Sequence, residues 1–206
     1  MTLETSKNLG GIGAILMFVG VFPYINSYGV IPLVGLILVL IAMKGLADYY
    51  KEAGIFNNAL YAFILAIVGV VAFIAILFTA ALNMLSQLGL SAANMADWAT
   101  ILSTYDWTGA GFSTLMNFAA YVIADLVVLF VFVLVTAIFL RKSLRLLSAK
   151  TGVGMFGTTG LILLIGAILT IIVIGILLIW IAMLLLAVAF FSIRTQQAPP
   201  PPPTQV

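Results

Sequence analysis

The chain has 206 residues, 65% of them hydrophobic and only 7% charged, and a mean hydropathy of +1.31. A soluble domain carries about 25% charged residues, so no water-soluble fold could cover this much apolar surface and lipid must be the solvent. The net charge of +2 is too small to argue for nucleic acid, and the absence of Cys and His removes disulfides, thiolate nucleophiles, imidazole bases and the usual zinc or haem ligands.

The opening segment carries Glu4 and Lys7, and no small-residue cleavage site closes the first apolar run, so no signal peptide is expected. That run extends from Leu9 to about Ile25, breaks near Pro23 and the turn residues Asn26, Ser27, Tyr28 and Gly29, and resumes from Val30 to about Ala47. A helical hairpin of two short spans is predicted. After a polar segment, Lys44 to Asn58, a third span runs from Ala59 to about Leu85, and a fourth from about Leu115 to Leu140. Between these two lies an outer loop, residues 86–113, with Asp97, Asp106 and the aromatics Trp98, Tyr105 and Trp107, which favour the headgroup level. Asn94 is placed to cap a short interfacial helix there, with Met95, Trp98, Ile101 and Leu102 on an apolar face and Asp97, Thr100 and Ser103 on a polar one. The uncharged stretch Met155–Ile193 would be roughly 58 Å long as one helix, too long for one crossing. It is read as two spans, 155–170 and 175–193, joined by an apolar turn near Thr170–Ile174, with a kinked single span as the alternative.

Two patterns favour the split. Gly35, Leu38, Ile41, Ala42, Met43, Leu46 and Ala47 recur at constant spacing as Gly175, Leu178, Ile181, Ala182, Met183, Leu186 and Ala187. Upstream, Gly10, Gly13 and Gly20 are echoed by Gly157, Gly160 and Gly166, so the first hairpin reads as duplicated in the last, with the glycines serving close helix packing. The second pattern is charge. With six spans and the N-terminus inside, all 8 Lys and Arg residues fall in cytoplasmic segments, whereas five spans would strand Arg194 outside. The expected architecture is an all-α, polytopic transmembrane bundle in the cell membrane, a single domain over residues 1–194 with both termini cytoplasmic. Residues 195–206, with Pro199–Pro203, are expected to form a disordered polyproline II tail.

Asp125 is the one acid in the middle of a predicted span, and an intramembrane ionisable residue asks for an explanation. Ser113, Asn117, Tyr121 and Asp125 follow each other at i, i+4 and are read as one face of span four; Thr79, Asn83 and Gln87 do the same on span three. Facing each other, they would form an outward-opening polar patch. Its functional reading is a proton or cation site; the plainer and preferred one is interhelical hydrogen bonding, with the Asp125 carboxyl donating to Thr79, Asn83 or Tyr121. At an inner helix end, Lys44, Asp48 and Lys51 have the spacing of an ion network. Lys44 can also snorkel to the inner surface. Arg141, Lys142, Arg145 and Lys150 form a basic cluster that could hold anionic headgroups, although topology already accounts for it.

The opening Thr2–Lys7 leading to Gly10 and Gly13, the stretch KGLADYYKE followed by IFNNALY (Lys44–Tyr61), and the terminal AFFSI (Ala189–Ile193) together resemble a largely archaeal family of small membrane proteins, domain-of-unknown-function family 996. The likeness spans nearly the whole chain except the outer loop and the tail. It implies a membrane protein and brings no activity, substrate, cofactor or catalytic residue.

Three classes of function compete. An intramembrane enzyme is disfavoured, because a serine protease needs a base and there is no His, while an aspartyl protease needs two carboxylates at depth and only Asp125 lies there. A small proton- or cation-coupled transporter or channel would use Asp125 and its patch. The leading expectation is a non-catalytic structural or accessory protein, partnered by the lipid bilayer and by a second copy or a larger membrane complex. No metal, cofactor or nucleic acid is called for.

Overall fold

The computed structural model describes residues 1–22 and 30–194, apart from the side chains of Ala92 and Ala110. The break at Pro23, the Asn26–Gly29 turn and the proline tail lie outside the described residues. Among the described residues all regular structure is helical: α1 (Leu3–Val19), α2 (Val30–Tyr49), α3 (Ala53–Gln87), a 3-10 segment (Ala92–Asp97), α4 (Trp98–Thr104), α5 (Ala110–Thr151), α6 (Gly154–Leu169), a 3-10 turn (Thr170–Ile172) and α7 (Ile174–Phe191). Five of these are long and apolar enough to cross a membrane: α2, α3, α5, α6 with its 3-10 turn, and α7. A 17-residue helix, α1, precedes them.

The helices overrun the predicted spans. α3 begins at Ala53 rather than Ala59, and α5 continues past Leu140 to Thr151. Apolarity marks what can enter lipid, whereas Arg141, Lys142 and Arg145 are good helix formers outside it. The uncharged stretch is not one kinked rod. It turns at Thr170–Ile172 and Val173, whose φ is 68°, and α6 then packs on α7.

The chain forms two compact units whose division falls inside α3 and α5: Met1–Ala62 with Ala137–Val206, and Phe63–Thr136. In the first unit α1 packs against both α2 and α7. Glycine permits the closest approach, since a Cβ on Gly13 would stand 2.6 Å from the Gly35 carbonyl oxygen. The core gathers Met43, Leu46, Ile55, Leu144, Leu147, Phe156 and Phe190, and the Phe190 ring lies against Gly10 and edge-on to Phe156 at 5.2 Å. Trp180 of α7 stacks on Phe18 at 4.5 Å and donates its indole N–H to the Phe18 carbonyl at 3.0 Å. That carbonyl belongs to the last turn of α1, where the helix offers no partner of its own.

The ends of these helices follow local chemistry. The Thr2 side chain accepts from the Thr5 N–H and caps α1, with Glu4 in the positive first turn. α2 ends in a Schellman arrangement: Glu52 N–H bonds the Ala47 carbonyl and Lys51 N–H the Asp48 carbonyl, with Lys51 left-handed at φ 51°. The buried Ser143 hydroxyl donates to the Ile55 carbonyl, and Lys150 pairs with Glu52 at 3.1 Å.

Most of the repeated positions are buried alike, the exception being Met43, which is buried where Met183 is only half-buried. Gly35 and Gly175, Ala42 and Ala182, Leu46 and Leu186, and Ala47 and Ala187 are all buried, while Ile41 and Ile181 are both exposed. The glycine contacts are not equivalent. Gly35 meets Gly13, the counterpart of Gly160, but Gly175 meets Gly166 close to the turn. The short connection between α6 and α7 forces that crossing towards the hairpin tip.

Candidate functional site

The second unit is a hairpin of α3 from Phe63 and α5 up to Thr136, closed by the connecting loop between them. Gly69 takes the Phe132 side chain, whose Cβ would be 2.7 Å from an added methyl. α3 ends at a second Schellman turn, with Gly89 at φ 74° and the Leu90 N–H on the Leu85 carbonyl. In the loop, the Asn94 side chain accepts from the Ser91 N–H and donates to the Gly89 carbonyl. It therefore organises the 3-10 segment from within rather than capping α4, because the helical turn already starts at Ala92. Trp98, Ile101 and Leu102 are partly covered, whereas Met95, expected on the same face, is exposed.

The three aromatics expected at the interface hold this loop through their polar tips. Trp98 donates to the Ser91 carbonyl, Tyr105 to the Gln87 carbonyl and Trp107 to the Leu102 carbonyl. The Tyr105 and Trp107 rings meet at 5.3 Å. Asp106 accepts from the Thr108 and Gly109 N–H groups and orders the entry to α5.

Four of the seven polar-patch residues converge. Asn83 and Gln87 of α3 and Asn117 and Tyr121 of α5 line one crevice too tight for a water molecule. Gln87, Asn117 and Tyr121 also border an open depression that reaches Ala124. Thr79 is exposed and back-bonds to the Ala75 carbonyl, and Ser113 borders neither space. Asp125 corrects the expectation most. It is 1% exposed, so it does face protein, yet among the described residues neither carboxyl oxygen has a hydrogen-bond partner.

Helix geometry explains the discrepancy. A step of four residues overshoots a full turn by about 40°, so Ser113, Asn117, Tyr121 and Asp125 drift by about 120° around α5. The first three are exposed and the last is not. A step of eleven residues returns to within about 20° of three whole turns. Buried Thr114 and Asp125, and the enclosed hydroxyl of half-buried Thr136, therefore fall on one line at constant spacing of eleven. The Thr136 hydroxyl also lacks a partner among the described residues. Thr114 and Thr136 escaped notice in the sequence because a neutral hydroxyl is unremarkable in a membrane helix; the eleven-residue spacing was the available signal.

In the first unit the proposed ion network does not form. Among the described residues Glu52–Lys150 is the ion pair, and Lys44 lies over the Phe56 ring at 5.9 Å. Lys51 has left the helix in its left-handed conformation, so helical spacing to Asp48 no longer applies. Of the basic cluster, Arg141, Lys142 and Arg145 are exposed, Lys142 lies 5.4 Å from the Phe139 ring, and Lys150 is engaged by Glu52. Tyr50, just past the C-terminus of α2, has its phenol pushed up by burial first and by neighbouring Tyr49 second.

Comparison with known proteins agrees with the sequence resemblance. A protein of Methanocaldococcus jannaschii, described as uncharacterized protein MJ1644, is 27% identical over 196 residues, 94% of each chain. No solved structure matches. A family described as protein of unknown function (DUF996) matches residues 31–184, most of the helical region, and this chain belongs to it.

Proposed function

We propose that the chain is a cell-membrane protein with six spans and both ends in the cytoplasm, serving as a non-catalytic structural or accessory protein that packs with itself or with a larger membrane complex. The supporting observation is the charge placement: taking α1, α2, α3, α5, α6 and α7 as successive crossings puts every Lys and Arg on one side. Matching burial at most of the repeated positions of α2 and α7, Met43 and Met183 excepted, supports a duplicated hairpin. The polar groups that are engaged have local structural duties: Ser143 ties α5 to α3, and Trp98, Tyr105 and Trp107 hold the outer loop.

A reporter fused after Val206 should be accessible only from the cytoplasm; access only from outside would overturn the six-span reading. Gentle solubilisation followed by light scattering should give a particle larger than one chain. A monomer with no co-purifying membrane protein would overturn the accessory role.

A further inference from the structure

The helix ends that carry charge meet in the first unit. Leu3, Leu46, Ile55, Leu144, Leu147 and Ile193 share one core, which draws together the starts of α1 and α3 and the ends of α2, α5 and α7. This unit holds all 8 Lys and Arg residues but only Glu4, Asp48 and Glu52 of the acids. Eight bases against three acids leave an excess of five positive side chains.

Within the cluster on α5 the four cations are not equivalent. Lys150 is taken by Glu52 at 3.1 Å, and the Lys142 ammonium lies over the Phe139 ring at 5.4 Å. Arg141 and Arg145 are exposed, and among the described residues neither has an acidic partner. Four residues apart on one helix, they stand about one turn from each other on the same face. Their level is set by the sequence before them: Leu126–Leu140 carries no charge and Arg141 follows it directly. Both guanidinium groups therefore emerge where the apolar run ends, at the height of lipid headgroups. α6 also confines the first of them. A Cβ added to Gly160 would stand 3.2 Å from the Arg141 Cα and 3.5 Å from its Cγ, so the Arg141 stem runs against α6 and has less rotamer freedom to lose on binding.

We propose that Arg141 and Arg145 together hold the phosphate of an anionic lipid headgroup. Topology alone asks only for positive charge on one side, which lysine supplies equally well. Two guanidinium forks one turn apart, with no acid to occupy them, add a directional set of donors that matches phosphate oxygens. The excess positive charge of the unit draws the anion in, and the position at the end of the apolar run selects a headgroup whose chains lie alongside α5 over a free anion. This rests only on the membrane-embedded part of the reading above, not on the span count or the accessory role.

Full-length protein in a neutral detergent would be titrated with dioleoyl phosphatidylglycerol and, separately, with phosphatidylcholine of the same chains, and the bound lipid counted by native mass spectrometry. One phosphatidylglycerol should bind in preference to phosphatidylcholine. Arg141→Lys and Arg145→Lys keep the charge and the stem but lose the fork, and each should lower that preference by roughly tenfold. Lys142→Gln removes a whole charge and should nevertheless cost less than either. Equal binding of the two lipids, lysine variants as selective as the parent, or an equal loss in Lys142→Gln would each reduce the cluster to diffuse charge and overturn the proposal. Displacement of the lipid by inorganic phosphate at matched concentration would overturn it too, by assigning the pair to a free anion. Release of the protein from native membranes by alkaline carbonate would instead remove the membrane reading on which it rests.

Discussion

The contact between α1 and α2 can be tested by adding a single methyl group. In Gly13→Ala the new Cβ would stand 2.6 Å from the Gly35 carbonyl oxygen and 2.9 Å from both the Val39 nitrogen and the Leu38 Cβ, where ordinary contact starts at 3.4 Å. The oxygen and nitrogen are backbone atoms, so no side-chain rotation relieves them. The helices must separate locally by about 0.8 Å, the difference between 3.4 and 2.6 Å. A gap of that size forfeits roughly a quarter to a half of each dispersion contact, worth about 0.1–0.2 kcal/mol per atom pair. Over several tens of pairs the loss is about 2 kcal/mol, in line with other overpacked sites. Against it stands the better helix propensity of Ala, about 0.5–1 kcal/mol. Net destabilisation of about 1–2 kcal/mol is therefore expected. Gly154→Ala is the control, because its methyl would meet nothing within 4 Å and only the propensity gain remains. Unfolding in mixed micelles by increasing dodecyl sulfate, followed by circular dichroism, would measure both. If Gly13→Ala proved as stable as the parent, the backbone contact between Gly13 and Gly35 would not be what sets the α1–α2 spacing.

Two further outcomes are expected. Lys51 holds a left-handed conformation that L-residues with a Cβ adopt at a cost of about 1–2 kcal/mol, so Lys51→Gly should raise stability by about 1 kcal/mol in the same titration, whereas Gly152→Ala, at φ 72°, should lower it by a similar amount. Tyr50 holds its proton more tightly in the folded chain than in the unfolded one. Its contribution is thus fully present below the ordinary tyrosine value of about 10 and is lost as pH rises through the higher folded value. Stability measured across alkaline pH should fall in the parent and fall less in Tyr50→Phe; equal slopes would show that burial of this phenol is not felt.

What the sequence determined by itself was the solvent and the placement of the apolar helices. A chain in lipid must satisfy its backbone hydrogen bonds within each segment, so apolar runs of sufficient length become helices wherever they occur. The turn at Thr170–Ile174 was legible for the same reason, since Met155–Ile193 exceeds one crossing. The faces of those helices were legible only in part. Asn83, Gln87, Asn117 and Tyr121 do meet, but steps of four residues wind slowly around a helix and carried Asp125 away from its supposed neighbours. Which side of α5 turns towards α3 is a property of their packing, and Gly69 against Phe132 records it. The same limit applies to Lys51, whose charge suggested a partner on α2 while its backbone conformation belongs to the turn. It applies again to Trp180, whose partner Phe18 lies at the other end of the chain. Periodicity describes one helix at a time; the tertiary structure decided which phase of each helix is buried, and therefore that Asp125 lies buried with no hydrogen-bond partner among the described residues.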